Sequence, residues 1–191
     1  MDPLNFLKEV QQIPDQYGDG FTRTVPIQLH SLRNSSGLTL DASTTNPRLA
    51  ALETNFLGMQ WLAGNAAVAV LNWTVPIDYD ETADRLDIVV LCNSAGDTDT
   101  PTLDANVYQK RAGASLSADL DATASAAISN NTAKAAERVI KIRSEGLRAG
   151  DVLSIHLFPG THATDAVNVY GLGVRYKSTL VSYRLSHRDP S

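Results

Sequence analysis

Residues 72–91 read NWTVPIDYDETADRLDIVVL, and the five acidic side chains within them, Asp78, Asp80, Glu81, Asp84 and Asp87, admit three readings. They could ligate a cation, form a catalytic carboxylate pair, or make a solvated turn between two extended apolar runs. The flanks favour the turn. Trp73 and Val75 end one strand pattern, Pro76 cannot donate to a ladder, and Leu86-Asp87-Ile88-Val89-Val90 restarts the alternation. A calcium loop needs oxygen ligands in the order D-x-[DN]-x-[DN]-G with a later Glu. DYDETAD lacks the glycine and the third oxygen at that spacing, and DTDTPTLD at 97–104 fails in the same way. The stretch reads as strand, turn, strand.

The same grammar runs outward in both directions. Period-two alternation with β-branched or aromatic enrichment predicts strands at 21–32, 56–62, 68–75, 86–92, 103–110, 139–143, 152–158, 167–176 and 180–185. Gly64-Asn65 between two of these runs is a short hairpin signal, and NSAGDTDTP at 93–101 is a polar turn closing with proline. Strands in succession without intervening amphipathic helices predict an antiparallel β-sandwich or barrel rather than a parallel βαβ sheet. Alternation also assigns faces. Leu103, Ala105 and Val107 share one side of their strand, and Leu153, Ile155 and Leu157 are opposed by outward Ser154 and His156. Residues 112–136, rich in Ala, Ser, Asp, Asn and Thr, read as a long surface loop or extended ornament.

Two short helical signals interrupt the strand pattern. Asp2 as N-cap and Pro3 at the first helical position precede Leu4, Phe6, Leu7, Val10 and Ile13 at three- and four-residue spacing. A helix this short needs a surface for its apolar face, and PDQYGDG breaks it. A second helical turn is expected at Asn46-Pro47 before RLAALET. The chain thus divides into an N-terminal arm, residues 1–20, and a single β-sandwich domain, residues 21–191.

Composition narrows the function classes. The 191 residues are 43% hydrophobic and 19% charged, the balance of a well-buried globular domain. A net charge of −5 offers no phosphate-neutralising face, so no nucleic-acid partner is expected, and Lys110-Arg111 and Arg138-Lys141-Arg143 read as solvated basic spots. No apolar run is long enough for a bilayer and no cationic then apolar leader opens the chain, so no membrane partner is expected and synthesis is placed in the cytoplasm. The single cysteine, Cys92, lies in the apolar run IVVLC and reads as a buried, inert thiol. There is no G-x-S-x-G elbow, H-E-x-x-H, phosphate loop or Cys/His ligand set, so no cofactor, metal or catalytic residue is assigned. His162 beside Asp165 in PGTHATDA could be half of a dyad, but reads more simply as a hydrogen-bonded loop residue.

The succession TNFLGMQWLAG, NWTVPIDYDETADRLDIVVL, SAGDTDTPTLDANVYQKRAG, EGLRAGDVLSIHLFPGTHATDAV and NVYGLGVRYKSTLVSY, over residues 55–185, resembles head decoration (cement) and related virion structural proteins of tailed bacteriophages. W-x-V-P-x-D-Y-D and G-L-x-x-G-D-x-L are the most recognisable segments, and the specificity lies in their order. The resemblance implies a jelly-roll-like β-sandwich, a non-enzymatic role, binding to the major capsid protein, and a homo-oligomer, with a trimer favoured. On this reading the protein is a cement protein of the virion surface, made in the host cytoplasm, which stabilises the head shell by binding the assembled form selectively. Its capsid contacts would be the arm residues Leu4, Phe6, Leu7 and Val10. The alternative is a glycan- or receptor-binding module of a phage tail or fibre, in which Trp61, Trp73 or a tyrosine would be exposed. Both tryptophans lie in strand patterns, where core packing is the simpler expectation.

Overall fold

The structure, a computed structural model, describes residues 22–41, 44–83, 85–160 and 162–180. The strands are β1 Thr22–Ile27, β2 Arg33–Asn34, β3 Arg48–Glu53, β4 Phe56–Trp61, β5 Ala69–Thr74, β6 Leu86–Ser94, β7 Thr102–Lys110, β8 Ala126–Ala127, β9 Ala136–Ile142, β10 Val152–Gly160 and β11 Val167–Lys177. Alternation gives β7 and β10 one dry face, while the central β6 and β11 are buried on both over much of their length. A 3-10 turn at Leu29–Ser31 follows β1. The first sheet has the order β3-β4-β11-β6-β9, and the second β2-β5-β10-β7-β8. β1 joins β11 along Leu172–Lys177, on the stretch beyond the one β4 uses. All these pairings are antiparallel.

The expected faces are the observed ones. Leu103, Ala105, Val107, Leu153, Ile155 and Leu157 of the second sheet are buried against Leu86, Ile88, Val90, Leu172, Val174 and Tyr176 of the first. Both tryptophans belong to this core, as their strand patterns led one to expect, so any aromatic exposed for the glycan-binding alternative has to be a tyrosine. The Trp61 indole N–H donates to the Ala67 carbonyl at 2.7 Å, which removes the cost of burying it. Trp73 lies 6.1 Å from the Tyr176 ring, tilted against it.

Connectivity is where the chain departs from the linear reading. Gly64-Asn65 does not close a hairpin; it carries the chain from β4 in the first sheet to β5 in the second. Gly64 sits at φ 72° and its N–H donates to the His162 carbonyl, so the corner is tied to another loop rather than to its own strands. The polar turn after β6 likewise crosses to β7. Among the described residues only β3-β4 and β7-β8 are successive strands of one sheet, which is the jelly-roll habit of changing layer at nearly every connection.

Two further expectations are revised. RLAALE after Pro47 forms β3, not a helical turn: it pairs with β4 from Arg48↔Gln60 to Glu53↔Phe56, and that ladder satisfies backbone groups a six-residue helix would leave unpaired. Residues 112–136 are largely the long surface loop expected, with no helix, but they are not a detached ornament. The Ser117 and Leu120 amides donate to Gln109 and Val107 on β7, while Ala122 N–H donates to Lys141 and Leu120 accepts from Arg143 on the β9 side. This extended segment therefore stitches an edge of one sheet to an edge of the other. The Arg138 guanidinium fastens the seam by donating to the carbonyls of Leu103, Val139 and Ala124. The arm residues Leu4, Phe6, Leu7 and Val10 lie outside the described residues, as do 181–185 of the last predicted strand. Among the described residues no helix is long and apolar enough to cross a membrane.

Candidate functional site

The period that buries the odd-numbered residues of β7 and β10 turns the even-numbered ones outward. Register then joins them into rows across the second sheet. Asn72 on β5, Ser154 on β10 and Tyr108 on β7 are directly opposite one another; so are Val70, His156 and Asn106, with Arg33 of β2 extending that row; Phe158 faces Asp104. Strands about 4.8 Å apart and a rise of about 3.4 Å per residue make this a platform of roughly 10 by 14 Å.

Its chemistry is unlike an ordinary solvated strand face. Neutral hydrogen-bonding groups and rings occupy the centre, and charge is confined to Asp104, Arg33 and Lys110 at the margins. The imidazole of His156 meets the edge of the Tyr108 ring with centroids 5.4 Å apart, and its Nε2 lies 3.0 Å from the Ser154 hydroxyl. These contacts hold a histidine, a tyrosine and a serine in one fixed group, with the rings half-buried and still reachable. Asn72 and Asn106 each add a donor and an acceptor. The alternation that assigned Ser154 and His156 outward already marked two of these five residues. Tyr108, Asn106 and Asn72 joined it only through register.

The other candidates are structural. Asp78 is buried where the sandwich closes, and its carboxylate accepts from Arg23 at 2.6 Å, from the Ser178 hydroxyl at 2.6 Å and from the Tyr176 phenol at 3.0 Å. Burial pushes its pKa up, but the bonds from Ser178, Arg23 and Tyr176 outweigh that and hold the carboxyl at about 2. Asp80 caps its own turn by accepting from the Thr82 amide and hydroxyl. Asp87 lies between Arg175, at 3.1 Å, and Arg85, at 3.5 Å. Asp84 lies outside the described residues. Among the described residues no group of three or more His, Cys, Asp or Glu side chains is placed to hold a metal.

His162 is no half-dyad. Its Nδ1 faces the backbone oxygen of Asp165 and its Nε2 that of Asn65, at 3.2 and 2.8 Å, while the Asp165 carboxylate accepts from the Asp99 amide. The ring is buried and clasps two loops. Cys92 is fully buried, and burial pushes its thiol up to about 12, as expected of an inert cysteine.

No protein-family model matches the chain, and no curated protein matches it. Solved structures do share its architecture. The xylan-binding module CBM15 aligns with a TM-score of 0.54 at 13% identity, over 84% of this chain and 100% of that one. The CBM22-1 xylan-binding domain from Paenibacillus barcinonensis aligns with a TM-score of 0.50 at 11% identity, over 85% of this chain and 98% of that one. At such identities the likeness is one of fold: a jelly-roll β-sandwich.

Proposed function

We propose that this chain is a non-catalytic carbohydrate-binding β-sandwich that presents the outward face of its second sheet to a glycan. The carrying observation is the neutral polar and aromatic platform of Tyr108, His156, Ser154, Asn72 and Asn106. A pyranose ring has an apolar C–H face, which packs on aromatic rings, and hydroxyls that need donors and acceptors together, which amides and hydroxyls supply. A face dominated by charge would have to be desolvated at greater cost to bind an uncharged polyol. The fold adds support, because two neighbours sharing it are named for xylan binding, so xylan is the first glycan to try.

The test is isothermal titration of a panel of soluble polysaccharides with the parent and with Tyr108→Ala, His156→Ala and Asn72→Ala. At least one glycan should bind, and loss of the Tyr108 ring should weaken it by about tenfold, the equivalent of about 1.4 kcal/mol. Unchanged binding in all three variants would remove the platform from the reading.

Head decoration is the second reading, supported by the order of the sequence segments quoted above. It casts the chain as a homotrimer on the major capsid protein, contacting it through Leu4, Phe6, Leu7 and Val10. A chain that binds no glycan but occupies decoration-free capsids, and loses occupancy when residues 1–18 are deleted, would put that reading first.

A further inference from the structure

The outward face of the first sheet has a different chemistry. Across its strands Arg175 on β11, Asp87 on β6 and Lys141 on β9 stand directly opposite one another. Arg85 precedes β6 and Arg143 follows β9, and together these side chains rim a groove whose floor includes Val139. Asp87 is buried and shared between two guanidiniums, Arg175 and Arg85, and Arg175 also reaches the half-exposed Glu137 at 3.1 Å. Arg143 spends its hydrogen bonds on a neutral group, the Asp121 carbonyl, at 2.8 and 3.2 Å. The Lys141 ammonium meets no acceptor among the described residues, and of the triplet Arg138, Lys141 and Arg143 only Arg138 turns away, to fasten the seam. Among the described residues four cations thus face two carboxylates, in a chain whose net charge is −5.

We propose that this groove binds the carboxylate or sulfate groups of an acidic polysaccharide. Guanidiniums bind planar or tetrahedral oxyanions through paired N–H donors, and a lysine adds a mobile point charge. Convergence of cations from β11, β9 and the residues flanking β6 and β9 strengthens the field beyond that of scattered surface cations. Assigning the anion to a saccharide rests on the glycan-binding reading; the anion chemistry of the groove does not.

The experiment titrates the full chain with an oligogalacturonate, a heparin-derived oligosaccharide, a neutral xylo-oligosaccharide and sodium sulfate. An acidic oligosaccharide should bind; binding of the oligogalacturonate shows that carboxylates suffice, and binding of the heparin-derived oligosaccharide alone shows that sulfate is required. Lys141→Glu should weaken that binding by roughly tenfold, and raised sodium chloride should weaken it in the parent, whereas Tyr108→Ala should leave it unchanged. Lys141→Glu sets a carboxylate opposite Asp87, so the neutral Lys141→Gln, at the same exposed position, is the variant that should melt with the parent and still bind more weakly; Arg85→Gln provides a second, independent loss of charge. The proposal is overturned if neither acidic oligosaccharide binds, if these charge variants bind as the parent does, if Tyr108→Ala abolishes the binding, if sulfate ion alone binds as tightly, or if a single-stranded oligonucleotide, titrated alongside, binds more tightly. Neutral saccharide bound through Tyr108 with an inert groove would sink this inference and leave the platform standing. The reverse result would keep the groove and sink the platform.

Discussion

Asp78 and Asp80 stand two residues apart in one turn and do different work. Asp78 receives three side-chain donors in a buried corner, whereas Asp80 only caps its own turn. Asp78→Asn should therefore cost about 2–3 kcal/mol, because Arg23, Ser178 and Tyr176 lose a charged acceptor, while Asp80→Asn should stay within about 0.5 kcal/mol. Urea unfolding of the two variants checks the contrast, and equal midpoints would refute it. Cys92 supplies a second residue-scale test. Its thiol is buried and held at about 12, so a thiol reagent at neutral pH should label it only as the chain unfolds. Labelling of the native protein at the rate of a free thiol would contradict the burial. The acidity of the turn was plain in the sequence, but which aspartate would be buried was not, since Asp78 meets partners 55 and 98 residues away.

At the scale of elements, the β3-β4 hairpin depends on a glycine. A Cβ on Gly58 would run into Leu52 Cδ1 and come within 2.6 Å of the Val169 carbonyl oxygen on β11. The backbone cannot yield there without disturbing the β4-β11 pairing, so Gly58→Ala should destabilise by about 1–3 kcal/mol. Gly37, with open space around its would-be Cβ and a φ of 79°, should cost about 1 kcal/mol on the same change, from backbone strain alone. Thermal melts of the pair separate crowding from strain. The seam formed by residues 117–123 offers a different test. Arg138→Met keeps much of the side chain's bulk but removes three donations to carbonyls on both sides of the seam. Amide exchange should then accelerate at Leu120 and Ala122 before it does in β10, and uniform exchange across the molecule would show that the seam is not held there.

For the whole molecule, the carboxylates set the acid limit. Hydrogen bonds to Asp80, Asp99 and Asp151 lower their pKa values, chiefly from Thr82, from the Thr164 amide and from Arg111 respectively, and Asp78 lies at about 2. Groups with depressed native pKa values stabilise the fold above their unfolded values, near 4, and lose that contribution as the pH falls through the folded ones. Asp121 runs the other way, because burial raises its pKa. The melting temperature should accordingly be nearly flat between pH 5 and 7 and fall steeply below about 4; a fall beginning near pH 6 would point to histidine instead. What the sequence determined by itself was periodicity: the all-β class, most strand positions, the buried sides of β7 and β10, and the outward placement of Ser154 and His156. These follow from nearest-neighbour geometry, in which side chains alternate every residue. What the tertiary structure decided was partnership. β10 lies between β5 and β7, and β11 between β4 and β6, although long stretches of chain separate them. Local alternation carries no information about which distant edge a strand will meet. The platform of Asn72, Ser154 and Tyr108, and the groove of Arg175, Asp87 and Lys141, therefore came into being only when three separate strands took their register, because a binding surface on a sheet is assembled across strands and not along one.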